Sequence, residues 1–310
     1  MKESVSGGLF TAFSDIILDD DGCVFGCIYD ENCKAIISKA ITKAERDRMR
    51  GSKYVQSDMG DIYKELEKTV DTDKPVLFSG LPCQIAAVNN FYGNNKPSNL
   101  YTLEIICHGA PSPGIFEEYV ELQSKKANKK IKDVIFRDKT KGWTMPLRKF
   151  VYEDGSVAAE LLNADAFNNL FQGTDCILRP SCYECKYAGK QRIADLSIAD
   201  FWGIQKKHPE MFNDNKGCSL VLVNTQKGKE LFEKTKNSIV YKSVSLADAK
   251  EHNSPLNHPP KIFWEREAFF KNKERKGLEW CGEFYKSRKF FARVFRKIRY
   301  IKWKLTKNRK

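Results

Sequence analysis

The chain has 310 residues, 41% hydrophobic and 30% charged, which gives enough apolar material for one large domain or two ordinary ones and excludes a disordered chain. No run reaches the ~18 uninterrupted apolar residues of a membrane span, and the opening MKESVSGGLF lacks the basic cluster and apolar run of a secretory signal, so a cytoplasmic protein is expected. The net charge of +13 lies in residues 261–310, with 18 Lys/Arg against 5 Asp/Glu; the preceding 260 residues balance at 35 against 35, which leaves the body without the phosphate-neutralising surface of a nucleic-acid binder.

Along the first 110 residues strands and helices alternate. GGLFTAFSDIIL (7–18) has helical periodicity, while GCVFGCIYD (22–30) and CKAIISKAIT (33–42) favour strands. A short helix is expected over 61–70. Two units of one pattern follow: a buried strand at 75–79, a turn at 80–82 and a helix from Cys83; then a strand at 100–106, a turn from Cys107 to Pro113 and another helix. Beyond 129 the strands shorten, with DVIFRDK and a hairpin in LRKFVYEDGSVAAELL that turns at Asp154-Gly155. A helical stretch at 163–173, strands at 194–199 and 218–225, and a helix near 227–236 complete the body. NSPLNHPPK (253–261), dense in Pro and Asn, marks the start of the tail. The pattern predicts a mixed α/β fold: a mixed sheet with flanking helices, a cysteine-bearing second subdomain and a basic helical tail.

Ten cysteines without an export signal suggest metal or redox chemistry more than a disulfide framework. Cys182 and Cys185 form a Cys-x-x-Cys pair beside Lys186, Lys190 and Arg192, and nearby cations favour thiolates. A zinc site would be closed by a second such pair or two spaced histidines. Neither is present, because His108, His208, His252 and His258 are scattered, so an iron–sulfur centre fits better. Cys83 and Cys107 each fall at the carboxyl end of an expected strand, where open α/β sheets collect ligands, and are the candidates for the remaining positions; Cys176 is the substitute. Cys23 and Cys27, four apart on a strand, share a face and read as core residues. Cys33, Cys218 and Cys281 carry no functional pattern.

Ser6, Gly7 and Gly8 open a helix, and small residues there let backbone N–H groups approach a phosphate. RGSKYVQSD (50–58) sets Arg50, Ser52 and Lys53 around a glycine, groups suited to a pyrophosphate, with Tyr54 able to pack on a ring. Asp200 ends a strand ahead of Phe201 and Trp202, aromatics whose default is core packing. His108 is a proton donor, a hydrogen-bond partner of a cluster sulfur, or a turn residue.

Taken together, SGGLF, RGSKYVQSD, VLFSGLPCQIA, IICHGAPSP, FRDKTKGW, LRPSCYECKYAGKQRIADLSIADFWGI and KGCSLVLVNTQKG resemble the coenzyme F420 hydrogenase/dehydrogenase beta-subunit family over roughly residues 4–236. The resemblance implies an iron–sulfur flavoprotein oxidoreductase with FAD and a 4Fe-4S cluster, passing electrons between a hydride carrier, F420-like deazaflavin or NAD(P)H, and one-electron partners such as a ferredoxin or another redox protein. Its cluster cysteines would be Cys83, Cys107, Cys182 and Cys185; its flavin region would take in Ser6, Gly7, Gly8, Ser52, Lys53 and Tyr54. It implies a flavin-binding part over 1–128, a part with the cysteine loop over 129–260 and a tail over 261–310. Val5 stands where the family commonly has serine, and Leu81 where threonine is common. The resemblance is to a form of the family expected to lack the N-terminal ferredoxin module. A second reading is a zinc- or cluster-stabilised binding or assembly protein without catalysis.

In the tail, Phe291, Val294, Ile298, Ile301 and Leu305 recur at helical spacing among Lys and Arg. Such a helix suits an anionic membrane surface, so peripheral membrane contact is expected through residues 284–310.

Overall fold

The structure, a computed structural model, describes residues 4–212 and 214–307, with side chains to Lys286. Helix α1 (Leu9–Asp19) leads into strands β1 (Cys23–Tyr29) and β2 (Ala35–Ala40), followed by α2 (Lys43–Asp47), α3 (Ile62–Val70), β3 (Val76–Gly80), α4 (Pro82–Tyr92), β4 (Leu100–Ile105) and α5 (Pro113–Ala127). Strands β5 (Ile131–Asp138), β6 (Leu147–Tyr152) and β7 (Val157–Leu161) make a separate antiparallel sheet. After α6 (Ala166–Asn168) and α7 (Pro180–Tyr183) the chain runs through β8 (Leu196–Asp200), α8 (Ile204–Lys207), β9 (Ser219–Val223), α9 (Gln226–Thr235) and α10 (Leu246–Glu251). It closes with α11 (Arg266–Lys307), whose helical path breaks at Gly277.

The main sheet has six strands in the order β2-β1-β3-β4-β8-β9. Strands β1, β3, β4 and β8 are parallel, while β2 and β9 close the two edges antiparallel. The chain is therefore of the mixed α/β class that its sequence predicts. Every residue of β3 is buried, as expected of a parallel strand covered on both faces. Alternate residues sort to those faces: Val24, Leu77, Leu103 and Leu196 pack under α1 and α9 with Phe13 and Leu231, whereas Phe25 and Phe78 pack with Leu66, Ile85 and Val88 of α3 and α4.

A second core lies between α5, the three-stranded sheet and α11, where Phe116, Tyr119, Phe136, Phe150 and Phe167 meet Phe269, Leu278, Cys281 and Tyr285. The start of the basic tail is thus core up to Tyr285. The stripe from Phe291 to Leu305, and with it the expected membrane contact, lies outside the residues whose side chains are described. No helix among the described residues is long and apolar enough to cross a membrane. The boundary expected at 128/129 runs through shared structure, because β8 and β9 complete the sheet begun by β1, β3 and β4.

Most expected elements fall within a residue or two of their observed places, including the hairpin, where Gly155 turns with φ +78°. The helix expected over 163–173 is broken: one turn of α6 sits between tight and wide turns. Helices α2, α7, α8 and α10 have no counterpart in the sequence reading, since four to six residues are too few to show a period.

Candidate functional site

The strand order reverses direction next to β1: β2 follows it on one side and β3 on the other. Such a switch point opens a crevice at the carboxyl ends of the strands. A cavity of about 460 Å³ lies there. Its wall takes residues from all four parallel strands: Gly26 and Cys27 from the middle of β1, and Ser79 and Gly80, Ile105 to His108, and Ile198 to Asp200 from the carboxyl ends of the other three. The loop 49–55, the segment leading into α1, Arg137 at the end of β5 and residues 252–255 complete it.

Of the residues expected near a flavin, Ser6, Gly8, Ser52, Lys53 and Tyr54 line this cavity; Gly7 is not among its lining residues. Gly8 starts α1 with φ +92°, a left-handed conformation that favours glycine, and no side chain caps that helix end. The Gly7 N–H donates to Ser219 Oγ at 2.9 Å, and a Cβ on Gly7 would meet the Ser219 backbone nitrogen at 2.9 Å. This segment is therefore pinned to β9.

Two of the expected side chains already have partners within the protein. Lys53 Nζ donates to the carbonyls of Arg48 and Arg50 at 2.9 and 2.8 Å, so its ammonium holds its own loop together instead of reaching toward a pyrophosphate. Burial lowers its pKa. Tyr54 does pack on a ring, but a ring of the protein: it stacks on Phe136 with centroids 4.8 Å apart and meets Phe171 edge-on at 5.0 Å.

The four candidate cysteines come together at the neighbouring rim. Cys83 lies in the first turn of α4, behind Pro82, which starts the helix without needing an N–H partner. Cys107 lies two residues past β4 and also lines the cavity. Cys182 sits in α7 with Cys185 just beyond it. Burial, then negative charge on Cys182 and Cys83, push the Cys107 thiol up to about 12. Burial also raises Cys83, opposed by Arg179, with Cys182 and Cys185 adding to the rise. Four thiols that repel one another as thiolates, in a partly buried setting, fit a cationic centre held among them. The Ala110 N–H already donates to Cys182 Sγ at 3.4 Å.

The remaining cysteines stand apart from this group. Cys176, the expected substitute, is fully buried in the second core, where Thr174 Oγ1 lies 3.0 Å from its sulfur and burial pushes it up to about 12. Cys23 is core, as expected; Cys27 is half-buried and faces the cavity. Among the described residues, no three His, Cys, Asp or Glu side chains are close enough to share a single metal ion.

His108 also lines the cavity, and its Nε2 lies 2.6 Å from Asp175 Oδ1. The cysteine loop is tied to the sheet by Arg192, buried against Glu104 of β4 and donating to the carbonyls of Tyr187 and Gly189 at 3.0 and 3.1 Å. Arg137 and Gln84 are cavity residues that the sequence reading missed. A buried arginine at a strand end leaves no local pattern; only its place in the phrase FRDKTKGW drew notice to that stretch.

The model of one family, the carboxy-terminal part of the coenzyme F420 hydrogenase/dehydrogenase beta subunit, matches residues 73–249. The chain belongs to that family. All four candidate cysteines, Arg137 and Asp200 fall within the matched stretch, whereas the Ser6–Gly8 and Ser52–Tyr54 segments precede it. Family membership gives the chain an oxidoreductase class. The fold is similar to that of a chain in the xenon-derivatised F420-reducing [NiFe] hydrogenase complex from Methanosarcina barkeri, with 20% identity, 88% of each chain covered and a TM-score of 0.54. Among curated proteins, none matches the chain significantly.

Proposed function

We propose that this beta-subunit family member is an iron–sulfur flavoprotein oxidoreductase: Cys83, Cys107, Cys182 and Cys185 hold a 4Fe-4S cluster, and the cavity holds FAD. The observation that carries this reading is that one cavity, at the carboxyl edge of the sheet, is lined both by the Ser6–Gly8 and Ser52–Tyr54 segments and by Cys107. The two cofactor sites then share a wall. A bound flavin exchanges electrons in pairs with a hydride carrier and singly with a cluster, which is why the two belong side by side.

The chain's own residues do the positioning. Gly8 leaves the amino end of α1 open to anions, the Gly7–Ser219 hydrogen bond fixes that end against β9, and the loop organised by Lys53 forms another part of the wall. Arg192 and Glu104 hold the cysteine loop against β4. The hydride carrier is a deazaflavin of the F420 type or NAD(P)H, and the one-electron partner is a ferredoxin or another redox protein; the related structure belongs to a hydrogenase complex. The second reading, a zinc- or cluster-stabilised protein without catalysis, is separated from the first by metal analysis and flavin content.

Anaerobically purified protein should be brown, with flavin absorption, bound FAD and about four irons per chain. Stoichiometric zinc without iron or flavin overturns the proposal. Reduction by reduced F420 or by NADPH then identifies the hydride carrier.

A further inference from the structure

The main sheet has both of its edges occupied. At β2 the Ile37 N–H donates to the Asp58 carbonyl and the Asp58 N–H to the Ala35 carbonyl, both at 2.9 Å, and at β9 the Gly7 segment lies against Ser219. In the smaller sheet, the edge strand β5 is interrupted by two register shifts. Strand β7, the other edge, has none of these protections. Among the described residues it pairs with β6 alone, without a bulge, and its sequence VAAEL holds no proline and no lysine. Val157, Ala158, Ala159 and Glu160 are all exposed, so both faces of the strand meet solvent. An edge left open in this way presents unpaired backbone groups to another strand.

The ladder to β6 shows which groups those are. It runs from the Tyr152 N–H on the Ser156 carbonyl to the Leu162 N–H on the Pro146 carbonyl, each at 3.0 Å. Between them the register is regular, so Ala158 and Glu160 also bond toward β6, and the N–H and C=O groups of Val157, Ala159 and Leu161 point outward. Such a set matches an antiparallel copy of itself centred on Ala159. The two Ala159 residues then face each other on a two-fold axis, and Val157 faces Leu161 on either side, an apolar cross-strand pair. Glu160, the one charge on the strand, lies opposite Ala158. Its carboxylate is paired with Arg148, and the acids of the adjoining turn, Glu153 and Asp154, are paired with Lys130 and Lys129 at 2.7 Å each. Two copies therefore meet without like charges directly opposed. Centring the pair on Glu160 instead would set that acid against itself and offer the partner groups already bonded to β6.

We propose that β7 is a homodimerisation edge: two copies join antiparallel through Val157–Leu161, and their three-stranded sheets become one sheet of six strands. The partner is a second copy of this chain because the outward groups, the side chains and the charges all match their own two-fold image. A five-residue edge buries less than the roughly 1,200 Å² of a stable interface, so the dimer is concentration-dependent, with a dissociation constant on the order of 10 µM. None of residues 157–161 lines the cavity, and the inference stands apart from the cofactor reading.

Sedimentation velocity of the full chain over about 1 to 200 µM should show wild type passing from monomer to dimer. Ala159→Lys and Ala159→Glu each put like charges on the two-fold axis and leave the bonds to β6 in place; each should weaken association at least about 10-fold. An equimolar mixture of the two variants sets opposite charges face to face and should recover dimer to within about 3-fold of wild type. Thermal midpoints of both variants within about 2 °C of wild type separate lost association from lost folding. Wild type that stays monomeric up to about 200 µM overturns the proposal. So does a dimer that both variants retain, which would place the interface elsewhere, or a mixture that remains monomeric, which would deny the Ala159 register.

Discussion

At the cysteine end of the cavity the chemistry is delivered by the tips of two adjacent parallel strands and one short helix, whereas at the far end Ser6, Arg137 and Asp200 arrive from three segments that only the fold joins. The first end collects like charges that resist ionising together; the second gathers Arg137, Ser6 and Trp143 around one buried carboxyl, Asp200. One end is thus made of like groups that repel, the other of unlike groups that attract. If the two ends are separate sites that share a wall, each should fail alone.

The largest effect is expected at the cysteines. Cys182→Ala combined with Cys185→Ala removes two of four proposed ligands, and bound iron should fall from about four per chain to nearly none. Flavin affinity should stay within about 3-fold, because the residues at the far end are untouched. Iron and flavin assays on the same sample check this; simultaneous loss of both would merge the two ends into one site. Cys176→Ala sharpens the same contrast from outside it. Its sulfur packs in the second core, so the change should cost about 1–2 kcal/mol in denaturant unfolding and leave iron content unaltered. Loss of iron from that variant would return Cys176 to the ligand set.

Next in size is the helix end. Gly8 sits at φ +92°, and Gly8→Ala forces an L-residue into the left-handed region at a cost of about 1–2 kcal/mol. The same change brings a methyl group to the uncapped end of α1. Thermal unfolding should show the lost stability, and flavin titration a weaker FMN affinity with riboflavin spared. Stability unchanged from wild type would mean that the segment before α1 relaxes freely, contrary to its Gly7–Ser219 tie.

The two ends also differ in how legible they are in the sequence. Cys182 and Cys185 announce themselves by spacing, and Cys83 and Cys107 by their place after apolar runs, because a strand of five or six buried residues and the turn that follows are local features. The glycines before α1 are local too. Arg137 is not: its neighbours along the chain say only that a strand ends, and its partners Asp200, Trp202 and Tyr54 lie 63 to 83 positions away. Lys53 misleads for the mirror-image reason. A lysine in a glycine-containing loop suits a phosphate by type, yet the loop's own curvature turns the ammonium onto three of its own carbonyls. The tail shows the same limit at larger scale, since composition marks 261–310 as one basic segment while Phe269, Leu278 and Cys281 belong to a core that requires α5 and the second sheet to be in place.

The smallest effect separates the two ends by alkali. Burial, opposed by Asp200 and reinforced by the Arg137 charge, lowers Lys139 to about 8 from its ordinary 10.5. A lysine lowered on folding holds fewer protons in the native state than in the unfolded state, so between pH 8 and 10.5 the native state gains stability as pH rises. The lysine is only half-buried, and after solvent screening the gain is on the order of 1 kcal/mol. Thiols raised on folding, such as the core Cys33 at about 12, act in the opposite direction above pH 9 and mask the lysine in wild-type protein. The measurement is therefore a difference: urea midpoints of wild type and Lys139→Met at about pH 7.5 and about pH 9.5. The variant should be the more stable at the lower pH, after allowance for its lost hydrogen bonds to Ser6 and Lys216, and its advantage should shrink at the higher. A difference constant across that range would mean that Lys139 keeps an ordinary pKa and is not desolvated where the structure half-buries it.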